Sequence, residues 1–435
     1  MEHKMNYKKI LRGGLVVAFW LVIWTLAARI IDNKLLFVSP LETLKKLVVS
    51  VCDGNFWKTV LGSTARIGTG FLFGLIAGLV LAVASAKQKL IEELLSPVMK
   101  LCAAVPVASF VVILLIWWGS QFLAVSICFL VVLPIVYTNT LEGIKSVDKE
   151  LREMAAVFHM PLKNRLFYIY LPSLRPFLYS ALKVSLGLSW KSGVAAEVIG
   201  IPDYSIGEKL YLSKVYLDTA GVFAWTVVVI LLSVIFEKII LCLAQRALQW
   251  QPTCKKPVGI KQLRTEGIQL ANVTKSYGDN NVLTDLNRAI APGEIVTLRE
   301  PSGSGKTTLL RLLAGLEKPD QGTITCGRVG YLFQEDRLIA HISAVKNVAL
   351  VTGDEAKARE ALVQVLDAED LDKPCEQLSG GMKRRAALVR AMESDCEVLL
   401  LDEPFNGLDD ESRVKVEKYM KERQNGRSMV IASHI

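Results

Sequence analysis

Eight cysteines are scattered through 435 residues without a CxxC pair. That spacing indicates neither a disulfide framework nor a zinc site. Five of them, Cys102, Cys128, Cys242, Cys326 and Cys396, sit in apolar runs or in expected strands and turns. Internal repeats and low-complexity tracts are also missing, which argues against repeat arrays and long disordered segments. The net charge of +9 would suit a nucleic-acid partner if it formed one patch, but it does not. Lys4, Lys8, Lys9 and Arg12 precede the first apolar run, and Lys145, Lys149, Arg152, Lys163, Arg165 and Arg175 crowd one interior loop. This is a membrane-topology pattern, and no nucleic-acid partner is expected.

Apolar length is what the chain has in excess. With 51% hydrophobic residues and a mean hydropathy of +0.36, it is too apolar for an ordinary soluble protein, and it is too long for one usual domain. The excess lies before residue 250. The expected domains are 1–247 in the membrane, a linker at 248–267 rich in Pro, Lys and Gly, and a soluble α/β domain at 268–435. A span needs roughly 20 mostly apolar residues. Six candidates meet this: Leu15 to Ile31, Val60 to Ala86, Val98 to Trp118, Phe122 to Thr140, Phe177 to Ile199 and Val222 to Leu243. The first lacks a small-residue cleavage site and is read as an uncleaved anchor in the lipid bilayer. Arg66, Lys183, Lys191 and Glu197 lie inside spans, where ionisable groups need a reason. Contact of Arg66, Lys191 and Glu197 with a passing solute, snorkelling to an interface and an internal ion pair are the readings open for them.

The soluble half carries the chemistry. A strand, Glu294 to Leu298, runs into Glu300-Pro301-Ser302-Gly303-Ser304-Gly305-Lys306-Thr307-Thr308 and then a helix, Leu309 to Leu316. This is the setting of a phosphate loop, in which backbone N–H groups and a helix N-terminus surround the phosphates. Lys306 should reach the β- and γ-phosphates of ATP, and Thr307 should ligate Mg²⁺. Glu300 departs from the glycine that GxxxxGK[ST] requires. A side chain is poorly tolerated where φ is positive, and a carboxylate beside three phosphates opposes binding unless it points outward. Four apolar residues, Val398 to Leu401, form a buried strand ending in Asp402-Glu403-Pro404. Asp402 is expected to hold Mg²⁺ through water and Glu403 to act as general base.

Between these motifs stand Gln334 and the run Leu378-Ser379-Gly380-Gly381-Met382. The order PSGSGKTT, LSGGM, VLLLDEP resembles that of ATP-binding cassettes. The resemblance implies that Tyr277 stacks on adenine and that Gln334 senses Mg²⁺ and the attacking water while touching a permease. It also implies that Ser379, Gly380 and Gly381 meet the γ-phosphate held by a second subunit, that Asn406 to Asp409 couple two ATP sites, and that His434 is the switch histidine. Related cassettes continue beyond this histidine, so a C-terminal truncation is expected.

The polar segment 141–176 has Leu151, Met154, Ala155 and Phe158 at helical spacing, and Pro161, Pro172 and Pro176 to punctuate it. Two short helices are expected. Glu153, Ala155, Ala156, Leu171 and Pro172 resemble the EAAxxxG loop of importer permeases of the nitrate/sulfonate/taurine and thiamine-precursor group, with His159 in the glycine position. That likeness implies a coupling helix at Met160 to Asn164 docking on the ATPase. The fold class expected is therefore an α-helical transmembrane permease of six spans fused to an α/β P-loop NTPase of the ABC type. An even span count and a cytoplasmic ATPase put both termini inside a cell (plasma) membrane. The function implied is ATP-driven import of a small, anionic organic solute. One phosphate loop and one signature per chain call for a homodimer, and an importer of this kind needs an extracytoplasmic solute-binding protein. A membrane protein whose weakened cassette serves a regulatory role is the alternative, and an exporter is disfavoured by the importer-like loop.

Overall fold

A computed structural model describes residues 2–249, 267–301 and 303–433. The chain divides into two compact units, Met1–Ser146 with Leu174–Gln249, and Val147–Ser173 with Trp250–Ile435. The core of the expected coupling loop thus belongs to the second unit. The expected linker falls almost wholly outside the described residues.

The first unit is helical. Four of its helices are long and apolar enough to cross a membrane: Leu11–Ile31, Gly54–Lys87, Val107–Lys145 and Thr219–Leu248. Helix Leu171–Gly200 has the length, at 30 residues, but Arg175, Lys183, Lys191 and Glu197 make it too charged to join them. The expected third span, Val98 to Trp118, is broken. Helix Lys89–Ala104 ends at Val105, whose extended backbone is what a following proline favours, and a new helix starts after Pro106. Gly119, at φ 73°, interrupts that helix again.

Close packing of Gly54–Lys87 against Val107–Lys145 follows from a stripe of small residues. Cβ atoms added at Gly70, Gly74 and Gly78 would lie 2.4 Å from the Val125 carbonyl oxygen and 2.8 Å from Val132 and Val136 Cβ. Only glycine lets the backbones approach this far. Phe71, Val132, Val136, Leu182 and Leu186 fill one adjoining core, and Ile67, Cys128, Trp190 and Val194 another. Glu197 is fully buried. It accepts from Arg66 Nε at 3.0 Å, Ser63 Oγ at 2.6 Å and Gly207 N at 3.3 Å. The Arg66 guanidinium also donates to the Tyr204 carbonyl at 3.0 Å. Arg66 and Glu197 therefore form the internal pair, whereas Lys183 and Lys191 are exposed.

The second unit is built on two sheets. β1 (Ile268–Tyr277) lies antiparallel between β2 (Asn280–Ile290) and β4 (Gln321–Thr325). The other sheet is parallel, in the order β3 (Ile295–Leu298), β7 (Ser428–Ala432), β6 (Val398–Asp402) and β5 (Val329–Leu332). Every residue of β6 is buried, as its unbroken apolar run requires of an interior parallel strand. Helices Lys306–Leu313 and Gly380–Met392 accompany this sheet.

Segment 147–173 begins with helix Lys149–Val157, capped by Asp148, whose Oδ1 accepts from Glu150 N at 2.9 Å. His159, in the glycine position of the importer loop, has φ 46°. A left-handed residue ends this helix, and histidine carries the strain a glycine would avoid. Arg165 ties the bend, donating to Met160 O at 2.8 Å and Ala155 O at 3.0 Å. Of the three prolines expected to punctuate, only Pro161 separates helices. A π-helical turn, Arg165–Tyr170, runs directly into Leu171–Gly200, so Pro172 and Pro176 lie within one continuous helical run, beside the π turn that interrupts its regular hydrogen bonding.

Candidate nucleotide site

The parallel strands run the same way, so the loops after β3, β5 and β6 gather at one edge, the usual place for a ligand in an α/β sheet. After β3 the chain turns at Gly303 and Gly305, with φ of 85° and 90°. Gly305 is needed twice over: its backbone is left-handed, and a Cβ there would sit 2.8 Å from Val282 Cγ1. The helix then starts at Lys306, three residues before the expected Leu309, because the turn delivers the chain already in helical direction. Lys306 is buried, and its Nζ donates to the Glu300 carbonyl and, at 3.2 Å, to the Pro301 carbonyl. Glu300 is exposed and is not among the residues with positive φ. The steric cost expected of a non-glycine there is absent, leaving only its charge. Ser302 and His434 lie outside the described residues.

β6 delivers Asp402, buried, with Oδ2 lacking any hydrogen-bond partner. Burial pushes its carboxyl above the ordinary range and the neighbouring Glu403 charge adds to this, while a hydrogen bond with Thr307 pulls it back. Glu403 has φ 49°. Its N–H donates to Ala432 O at 2.8 Å, and its Oε2 accepts from Asn406 Nδ2 at 3.2 Å. A non-glycine residue held in a left-handed backbone is a strain that clusters at active sites.

Lys306, Thr307, Thr308, Gly303, Gly305, Gln334, Asp402, Glu403, Tyr277 and Val282 line one cavity of about 410 Å³. β1 extends through Tyr277 rather than ending at the expected Val273. The Tyr277 hydroxyl donates to Glu317 Oε2, and Lys275 Nζ lies 5.5 Å from its ring centroid. Ser304 Oγ is a second buried polar atom without a partner. The orphaned Asp402 Oδ2 beside Thr307 and Gln334 suits a hard cation, and Mg²⁺ takes one or two protein oxygens and completes its shell with water and phosphate. Ser379, Gly380 and Gly381 do not line this cavity. Ser379 caps the Gly380–Met392 helix, its Oγ accepting from Met382 N at 3.3 Å. A larger hollow, about 600 Å³, lies between the 147–173 segment and residues 336–341 and contains no phosphate-loop residue.

Two groups escaped the sequence reading. Arg384 is buried and donates to the carbonyls of Phe333 at 2.7 Å, Gln334 at 3.1 Å, Glu403 at 2.9 Å and Asp402, and to Asp336 Oδ1 at 3.1 Å. Its signal was present: Arg384 shares a helical stripe with Ala387, Leu388 and Ala391, so a charge stood on a core face. Arg337 and Arg311 both hold Glu153, at 2.7 Å and at 3.1 and 3.2 Å. Burial raises the Glu153 carboxyl, but the hydrogen bonds from Arg311 and Arg337 outweigh it and hold the group below its ordinary range. No local pattern links residues 158 positions apart.

Residues 283–406 match the family model described as ABC transporter, and residues 70–249 match that of the binding-protein-dependent transport system inner membrane component. The aliphatic sulfonates import ATP-binding protein SsuB 1 of Rhodococcus jostii is 39% identical over 179 residues, covering 39% of this chain and 73% of that protein. The spermidine/putrescine import ATP-binding protein PotA of Haemophilus influenzae is 39% identical over 38% of this chain and 51% of its own length. The sulfate/thiosulfate import ATP-binding protein CysA of Synechococcus elongatus is 38% identical over 36% and 51%. The chain spans about half the length of most of these relatives. It belongs to the ABC transporter family and joins a helical membrane-permease domain to an ATP-binding cassette in one polypeptide.

Proposed function

We propose that this chain is half of an ATP-driven importer, two copies of which form the transporter. The observation that carries the reading is the cavity where Lys306, Thr307, Gln334, Asp402 and Glu403 converge, in a chain that also holds a permease. Lys306 exchanges its two loop carbonyls for the β- and γ-phosphates of ATP. Glu403 accepts a proton from the water that attacks the γ-phosphate, and Asn406 keeps its carboxylate in place. Thr307, Gln334 and Asp402 would hold Mg²⁺, which supplies charge neutralisation on the phosphates when bound. Tyr277 stacks on the adenine, and His434 meets the γ-phosphate.

Ser379, Gly380 and Gly381 stand outside their own cavity, which supports their completing the site of a second copy. Six spans are proposed: Leu11–Ile31, Gly54–Lys87, the interrupted segment 98–118 broken at Pro106, the segment 120–145 that follows the Gly119 break, Leu171–Gly200 and Thr219–Leu248. Both termini are then cytoplasmic. Lys183 and Lys191 are exposed and Arg66 is spent on Glu197; two lysines that form no ion pair among the described residues favour an anionic solute over a cationic one. Selection of that solute falls to a separate solute-binding protein outside the membrane. The purified chain in lipid vesicles should hydrolyse Mg-ATP, faster when one of a panel of candidate solute-binding proteins is loaded and added. No turnover with any of them sinks the reading.

A further inference from the structure

Helix Gly380–Met392 starts with the signature and inserts two buried arginines into the same few residues. Arg384 holds the backbone of both segments that carry site residues: Phe333 and Gln334 on one side, Asp402 and Glu403 on the other. Arg390, further along the same helix, donates to Asp336 O at 2.9 Å and Arg337 O at 2.7 Å. Burial lowers the pKa of Arg390 to about 10, so its charge persists at neutral pH. The Arg337 guanidinium in turn grips Glu153 of the 147–173 segment at 2.7 Å. Asp336 closes the circuit, its Oδ1 accepting from Arg384 at 3.1 Å. A continuous series of hydrogen bonds therefore leads from Glu153 to the left-handed Glu403.

We infer that Arg384 is a positioning residue that makes the geometry of Glu403 depend on the docking of Glu153. Arg384 does not line the cavity; it acts through the carbonyls on both sides of it. Its planar fork explains the choice of residue: Nη1 serves Phe333 and Gln334 while Nη2 serves Asp402 and Glu403, whereas an ammonium presents all its donors from one nitrogen. Loss of the fork frees the Glu403 carbonyl and lets the residue leave its strained conformation. The inference rests on the proposed ATPase activity and makes a separate prediction from it.

The test uses the full-length chain in lipid vesicles, with kcat and KM for Mg-ATP measured on wild type, Arg384→Gln, Arg384→Lys, Glu153→Gln and the double variant Glu153→Gln with Arg384→Lys. Arg384→Gln should lower kcat about 10- to 100-fold with KM within about threefold, the size expected for losing charged hydrogen bonds that act on the transition state. Arg384→Lys should recover only part of this. The double variant should be no slower than the slower single, because both break one series of contacts. Should Arg384→Gln fail to fold, the lysine variant and the cycle decide alone. Wild-type turnover with kcat unchanged in Arg384→Lys, or with additive effects in the cycle, overturns the inference and leaves the proposed function standing. Absence of wild-type turnover overturns both.

Discussion

Replacing Glu153 by alanine removes the acceptor of three charge-assisted hydrogen bonds and leaves two arginines facing each other. The Arg337 side chain is 7% exposed, Arg311 20% and Glu153 15%, so water replaces little of what is lost. Arg311 retains Glu317 at 2.6 Å, and Arg337 retains Glu335 at 3.4 Å and the Phe333 ring, 4.1 Å from its guanidinium carbon. Breaking a buried pair costs about 3–5 kcal/mol, and the residual partners place this case near the lower end. About 3 kcal/mol corresponds to roughly a 100-fold shift in the equilibrium holding helix Lys149–Val157 in place. Amide hydrogen exchange of residues 149–158 in the full-length protein reads this directly, with about 100-fold faster exchange expected for Glu153→Ala and a smaller effect for Glu153→Gln. Protection within twofold of wild type would refute the reasoning. The pH dependence has a definite sign. Because the folded carboxyl lies below the ordinary value of 4.5, its contribution is complete above that pH and is lost as pH falls through the folded value. Exchange of this helix should therefore be constant from pH 7 to 5, after correction for intrinsic rates, and rise only in stronger acid.

Further outcomes follow from the same geometry. Glu403→Gln should lower ATP turnover by about 10²–10⁴-fold while ATP still binds, the range for removing a general base; retained turnover in a phosphate-release assay would remove Glu403 from that role. Glu300→Gly should tighten ATP binding only a few-fold, an effect that fades with added salt, because the exposed carboxylate acts through charge alone. A calorimetric affinity that is unchanged or weaker contradicts it. Glu197→Ala strands Arg66 inside the membrane unit and should lower its stability by about 3–5 kcal/mol in a denaturation series in detergent. An unchanged midpoint would show that the pair is not structural.

Much was legible in the sequence by itself. The phosphate loop, the Asp402-Glu403 strand end and the signature run are local, since each is a few contiguous residues whose chemistry and backbone needs are read together. Four of the six expected apolar runs were equally legible, Leu15 to Ile31, Val60 to Ala86, Phe122 to Thr140 and Val222 to Leu243, as membrane insertion depends on summed hydrophobicity along one segment. Length and hydropathy alone could not foresee the breaks at Pro106 and Gly119, which depend on single backbone conformations. Only tertiary structure decided that Arg66 is spent on Glu197, that Glu300 is free of left-handed strain, and that Arg384 bonds the backbone on both sides of the cavity while Glu153 pairs with Arg311 and Arg337. Glu300's conformation is set by the turn that the surrounding fold imposes on it; the other two facts are pairings between residues far apart in the chain, and the energy of a buried charge is set by which partner the fold brings within hydrogen-bond reach.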